Sequence, residues 1–202
     1  LRGELQTSTL RQMPRGRKAV KTELGSMASD LPAVVDRVLD AVDRGERVFW
    51  VVPRVDSDEE EDDDEDKSAS RYGTDERADA LREAMRRRSR STGDVGSKVG
   101  VIHGRMAPND KRAAMDAFRS GAAPILVATT VVEVGVDVPE ATMMVIEHAE
   151  RYGLSQLHQL RGRVGRSDRQ GTCILLRGEE PLDADREQAL AMQRLTALTR
   201  LT

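Results

Sequence analysis

An alternation of short apolar runs with helical segments constrains this chain more than any other feature. The runs are RVFWVV (47–52), KVGVIH (98–103), PILVAT (124–129), MMVIEH (143–148) and GTCILL (171–176). Between them, and before the first, lie stretches with helical spacing. Leu31, Val34, Val35, Val38, Leu39 and Val42 recur at i, i+3, i+4 and i+7, with Asp30 as candidate cap and Gly45 as stop. Further helices are expected at 75–90, from Pro108 to Arg119 ahead of Gly121, at 155–165 and at 184–200. Strands that are apolar on both faces need cover on both faces. The predicted architecture is therefore α/β, a mostly parallel sheet flanked by helices, with a further helix at the C-terminal end. At 202 residues the chain suits a single such domain, and it contains no internal repeat.

Charge is distributed unevenly. Asp56 to Asp66 (DSDEEEDDDED) holds ten acids and no base, so the rest of the chain has 25 acids against 32 bases. A run this dense repels itself and has no apolar surface to bury, which predicts a solvated, disordered insertion over 55–73. The surplus cations gather at Arg82, Arg86, Arg87, Arg88 and Arg90, and again at Arg161, Arg163, Arg166 and Arg169. The first group fits a solvated helix end, whose dipole favours cations, better than a dedicated polyanion site. Aromatic residues are only 2% of the chain, too few for a stacking platform for single strands. One cysteine, Cys173, excludes a disulfide framework, and its place in an apolar run makes it core. No apolar run approaches the length of a membrane span and the first residues lack a signal peptide's apolar core, so a cytoplasmic location is expected. The chain begins at Leu1 without Met and is expected to be a piece of a longer one.

In parallel α/β sheets function gathers on loops leaving the carboxyl ends of the strands. Here those loops are His103, Gly104, Arg105 and Met106, the long TTVVEVGVDVP segment (129–139), and HAERYG (148–153), which leads to the arginines. At 100° per residue, Gln159, Arg163 and Arg166 share one helical face while Leu157, Leu160 and Val164 share the opposite one. Two readings fit that face: a wet surface, or a cradle for the charge spread over a phosphoryl group. Gly162 and Gly165 weaken a helix, so their presence between the arginines calls for a reason such as close approach of another backbone or of a ligand. Thr129, Thr130, Gly135 and Asp137 suit phosphodiester and ribose contacts, and they are also ordinary loop residues. His103 alone reads either as a hydrogen-bonded structural residue or as a functional one, and the three histidines lack metal-ligand spacing. The sequence has no GxxxxGK(S/T), GxGxxG, HExxH or GxSxG. If the chain serves ATP chemistry, it supplies half of a site.

The loop at 103–106, ATTVVEVGVDVP (128–139) and QLRGRVGR (159–166), in that order, resemble the second RecA-like lobe of superfamily 2 helicases, the latter two its motifs V and VI. EHAERYGLSQLHQLRGRVGR (147–166) is more similar still to the RecG family, bacterial ATP-dependent DNA helicases that remodel forks and Holliday junctions. STLRQMPRGRK (8–18) resembles the segment that follows motif III there. The resemblance implies residues 1–22 as that segment, 23–180 as the lobe, and 181–202 as the start of a helical hairpin. It implies Arg163 and Arg166 as the catalytic arginines reaching ATP, with Gln159, Gly135 and Asp137 on the nucleotide. His103, Gly104, Arg105, Thr129 and Thr130 would face DNA. ATP with magnesium is the implied cofactor, the metal held by an N-terminal lobe that this chain lacks. The implied partners are branched double-stranded DNA, that lobe and a wedge domain. Two rivals stay open at this level: the same lobe of a transcription-repair coupling factor, and a non-catalytic RecA-like module that binds nucleic acid.

Overall fold

The computed structural model describes residues 19–53, 66–88, 98–129, 138, 141–165, 169–178, 193 and 195–199, the side chains of 66–72 excepted. Its strands are β1 (Lys21–Ser26), β2 (Arg47–Val51), β3 (Val99–Ile102), β4 (Ile125–Ala128), β5 (Ala141–Ile146) and β6 (Thr172–Arg177). Its helices are α1 (Met27–Asp43), α2 (Asp66–Arg88), α3 (Pro108–Ser120) and α4 (Leu154–Arg161). The strands form one sheet in the order β1-β6-β5-β2-β4-β3, every pair parallel. This is the flanked parallel sheet that the alternation predicts.

The two-residue period of β2 shows how the layers form. Val48 and Trp50 point to the face covered by α1 and α2, among Val34, Val38, Leu81 and Met85. Phe49 and Val51 point to the other face, among Met115 and Phe118 of α3 and Leu157 and Leu160 of α4. The Phe49 and Phe118 rings lie 4.6 Å apart between centroids, and both are almost completely buried. Burial of each stabilises the fold by roughly 2–3 kcal/mol. Cys173 is buried in the same layer, where burial pushes its thiol up to about 12, as expected of inert core.

Four boundaries differ from the sequence reading. β1 has no apolar run, since its KTELGS pairs at the sheet edge with β6 and buries only Thr22. A division at residue 22 falls inside this strand. Helix α1 starts earlier than predicted because Ser26, not Asp30, is its cap: the Ser26 hydroxyl accepts the Ala28 N–H at 3.2 Å, and the Asp30 carboxylate accepts the Ser26 N–H at 2.7 Å. Helix α2 starts at Asp66, so residues 66–73, predicted to belong to the disordered insertion, are helical. An acid at a helix N-terminus and helix formers such as Ala69 favour this. Residues 54–65 lie outside the described part, as do residues 184–192 of the predicted last helix, of which 193 and 195–199 are helical. Helix α4 stops four residues short of the predicted end, which alters the site.

Candidate functional site

Two groups of candidate residues occur, at opposite ends of the sheet. The first lies beyond the carboxyl ends of the neighbouring strands β3 and β4. The Thr129 N–H donates to the Ile102 carbonyl at 3.2 Å, which sets Thr129 beside the loop that begins at His103. That loop turns on the Met106 N–H to His103 carbonyl bond and is tied down by Lys111 Nζ, which donates to the Gly104 carbonyl at 2.7 Å. Gly104 and Arg105 are exposed and His103 is half-buried. The Thr129 hydroxyl is buried and has no hydrogen-bond partner among the described residues. A buried hydroxyl without a partner costs about 1–3 kcal/mol, so its persistence is informative. The N-terminus of α3, with Pro108 at its start, follows this loop and adds a positive dipole end to Arg105 and Lys111. Thr130 lies outside the described residues.

The second group is at the amino end of β5, because α4 runs back along the sheet. This corrects the expectation that every functional loop leaves a carboxyl end. It also corrects the helical-face argument: α4 ends at Arg161, so Arg163 stands on a turn and the 100° spacing does not govern it. Gly165 adopts φ of +72°, a conformation that disfavours any side chain, and its N–H donates to the Ala141 carbonyl at 3.3 Å. A Cβ there would stand 3.0 Å from Val20 Cγ2 and 3.2 Å from Gly171 Cα, so another backbone does approach closely. Val164, beyond the helix, is nonetheless buried with Leu157 and Leu160. Gln159 is exposed and Arg163 half-buried. The Ala141 N–H donates to the carbonyl of Val138, the residue after Asp137. One residue, Ala141, therefore joins the end of the 129–139 segment to the arginine turn. Gly135, Asp137 and Arg166 themselves lie outside the described residues.

Between the two groups runs the length of a six-residue strand, about 17 Å. Among the described residues, His103, Gly104, Arg105 and Thr129 thus lie at one end of the sheet and Gln159 and Arg163 at the other.

A third cluster was not anticipated. Glu147, the residue after β5, is buried; its carboxylate accepts the Trp50 Nε1–H at 2.6 Å and pairs with the Arg77 guanidinium. Arg77 also lies 5.6 Å from the Trp50 ring centroid. A pocket of about 250 Å³ opens beside them, lined in part by Val52, Pro53, Glu76 and His148. The only signal in the sequence was an acid closing an apolar run. His148 has φ of +47°, and its Nδ1 is 3.2 Å from Glu150 Oε1. The Gly178 N–H donates to both Glu150 oxygens at 3.1 Å. Burial works against the Glu150 charge, but the bonds from His148 and Gly178 outweigh it and hold the carboxyl below its ordinary value. Burial, then Glu147, raises the Tyr152 phenol.

The first arginine group is engaged in pairing. Arg82 bonds Asp79 and the Val99 carbonyl, Arg86 and Arg87 pair with Glu83, and Arg88 pairs with Asp40 and Asp43 of α1. Arg90 lies outside the described residues.

A parallel α/β lobe with an arginine turn after its fifth strand has known counterparts. Residues 30–168 match the helicase conserved C-terminal domain, and the chain belongs to that family. The matched span holds every candidate residue from His103 to Arg166. Within the family the chain is similar to the ATP-dependent DNA helicase RecG. It is 42% identical to RecG of Mycobacterium tuberculosis over 86% of this chain and 23% of that protein. It is 42% identical to RecG of Acidithiobacillus ferridurans over 96% of this chain and 25% of that one. A solved structure of RecG bound to a three-way DNA junction superimposes with a TM-score of 0.65 and 37% identity, over 93% of this chain and 21% of the other. The C-terminal domain of the DEAD-box protein Dbp5, at 17% identity and a TM-score of 0.53 over 91% of this chain and 85% of that domain, shares the fold. The chain spans about a quarter of the length of the RecG relatives.

Proposed function

We propose that this chain is the C-terminal motor lobe of a RecG-like, ATP-dependent DNA helicase that remodels branched DNA. The observation that carries the proposal is the pairing of a buried Thr129 hydroxyl, without a partner among the described residues, at one end of the sheet with a glycine-fixed arginine turn at the other, inside a span similar to RecG. Thr129, His103, Gly104 and Arg105, with Thr130, would take the DNA backbone, the hydroxyl finding in a phosphate oxygen the partner it lacks. Gln159 and Arg163, with Arg166, Gly135 and Asp137, would face ATP.

The donors present suit phosphate oxygens: an exposed amide and a guanidinium on a turn locked by Gly165. ATP supplies the phosphoryl group whose release drives movement. With no phosphate loop in its sequence, the chain would complete the site only against an N-terminal RecA-like lobe, which would also hold magnesium. On closure Arg163 and Arg166 would offset charge developing in transfer. The division of the chain near residues 22 and 180, with β1 belonging whole to the lobe and a wedge domain elsewhere in the polypeptide, belongs to the same proposal.

The test is DNA-stimulated ATP hydrolysis by the full natural polypeptide on branched and linear duplexes, beside Arg166→Ala and Arg163→Ala. Turnover favouring branched DNA, reduced on the order of 10³-fold in Arg166→Ala with DNA binding retained, is the expected result. Hydrolysis indifferent to both arginines would leave a nucleic-acid-binding module.

A further inference from the structure

We propose that Glu147 is a positioning residue for the arginine turn, acting through the β5–α4 connection; the inference rests on the ATP reading above. β5 has two neighbours in the sheet, β2 and β6, and the connection that follows it is anchored to both. Toward β2, the Glu147 N–H donates to the Val51 carbonyl at 2.9 Å, while its carboxylate takes the Trp50 indole N–H and the Arg77 guanidinium. Toward β6, the Glu150 carboxylate takes the Gly178 N–H. Between these anchors sits His148, the one non-glycine residue with positive φ among the described residues. A Cβ on Gly178 would come within 2.3 Å of His148 Nδ1, so the imidazole is seated against bare backbone.

The chain then has little freedom. Gln156 Oε1 accepts the Gly153 N–H at 3.1 Å and sets the first turn of α4, and the far end of α4 is tied to Ala141 through Gly165. The direction of α4, and with it the places of Gln159 and Arg163, is thus set at Glu147.

A merely stabilising role explains the arrangement less well. A buried ion pair contributes little to stability compared with apolar packing of the same volume. A carboxylate held by an indole N–H from β2 and an ion pair from α2 does fix orientation. Because Arg77 is on α2, the pair also ties that helix to the connection. Glu147 bonds to Val51, Trp50 and Arg77, so its effect on the arginine turn is one of placement.

The experiment uses the full natural polypeptide with Glu147→Gln, which keeps an oxygen for the Trp50 indole and loses the charge facing Arg77. Arg77→Met and Arg77→Lys accompany it. With the arginine turn misplaced, kcat for DNA-stimulated hydrolysis should fall by about 10- to 100-fold, with KM for ATP changed less than about 3-fold. Arg77→Met should reproduce the loss and Arg77→Lys should largely restore the rate. A folded Glu147→Gln protein with unchanged kcat and only a lower melting temperature would overturn the proposal. If Glu147→Gln does not fold, the two Arg77 variants decide: equal rates in both overturn it, and loss in Met with rescue in Lys sustains it. Arg163→Ala, run in parallel, separates the two levels. Hydrolysis abolished by Arg163→Ala but untouched by Glu147→Gln and Arg77→Met sinks the positioning role alone, whereas an unmodified protein without hydrolysis sinks both.

Discussion

Thr129 is where folding and the proposed function would make opposite demands on one atom. Its hydroxyl is buried and has no partner among the described residues, so no hydrogen bond among them draws on it. Thr129→Val keeps the shape and removes the oxygen. The expected outcome is a melting temperature unchanged or raised, together with weaker DNA binding, read by thermal unfolding and by fluorescence anisotropy on a branched duplex. A destabilised variant with unchanged DNA affinity would make the hydroxyl structural. The sequence pointed to Thr129 as one of two hydroxyl residues at a strand end, a pattern shared with ordinary loops. What it could not show is the missing partner, which depends on how the loop at 103–106 closes against it. Glu147 was invisible for a related reason. An acid after an apolar run reads as the solvated end of a strand, and only the fold brings Trp50 and Arg77 to it from 97 and 70 residues away.

At the level of elements, short apolar runs located five of the six strands, because a strand buried on both faces must be apolar throughout. β1 escaped since an edge strand buries little, and backbone pairing to β6 holds it. The end of α4 escaped for another reason. Gly162 and Gly165 marked a departure from helix without saying where it falls, and the answer lies in Gly171, which crosses Gly165. A Cβ on Gly171 would stand 2.7 Å from Gly165 Cα and 2.8 Å from its nitrogen, both backbone atoms with no room to yield. Gly171→Ala should therefore force the turn off β5 and destabilise the protein by about 1–3 kcal/mol in urea unfolding. Gly162→Ala is the contrast, with helical φ and its nearest contacts at 3.4 Å. It should leave stability unchanged or raise it by up to about 1 kcal/mol. Equal losses in the two variants would show that the crossing does not define the turn.

For the whole molecule, the proposed function would set two tasks a strand's length apart on the sheet, with neither end self-sufficient. The nucleotide candidates offer an amide, a carboxylate and guanidiniums, while the sequence has no loop to cradle phosphates. The DNA candidates offer a hydroxyl, an arginine and a helix N-terminus, enough for contact with a backbone and too few for tight binding. The 202-residue chain alone should accordingly release no phosphate from ATP, with or without branched DNA, and should bind DNA weakly, losing it as salt rises. Phosphate release by the pure chain, measured beside the full natural polypeptide, checks this directly. Turnover by the chain alone would contradict the half-site. Its absence here, with turnover in the full polypeptide that disappears in Arg166→Ala, would locate catalysis where two lobes meet, each supplying what the other lacks.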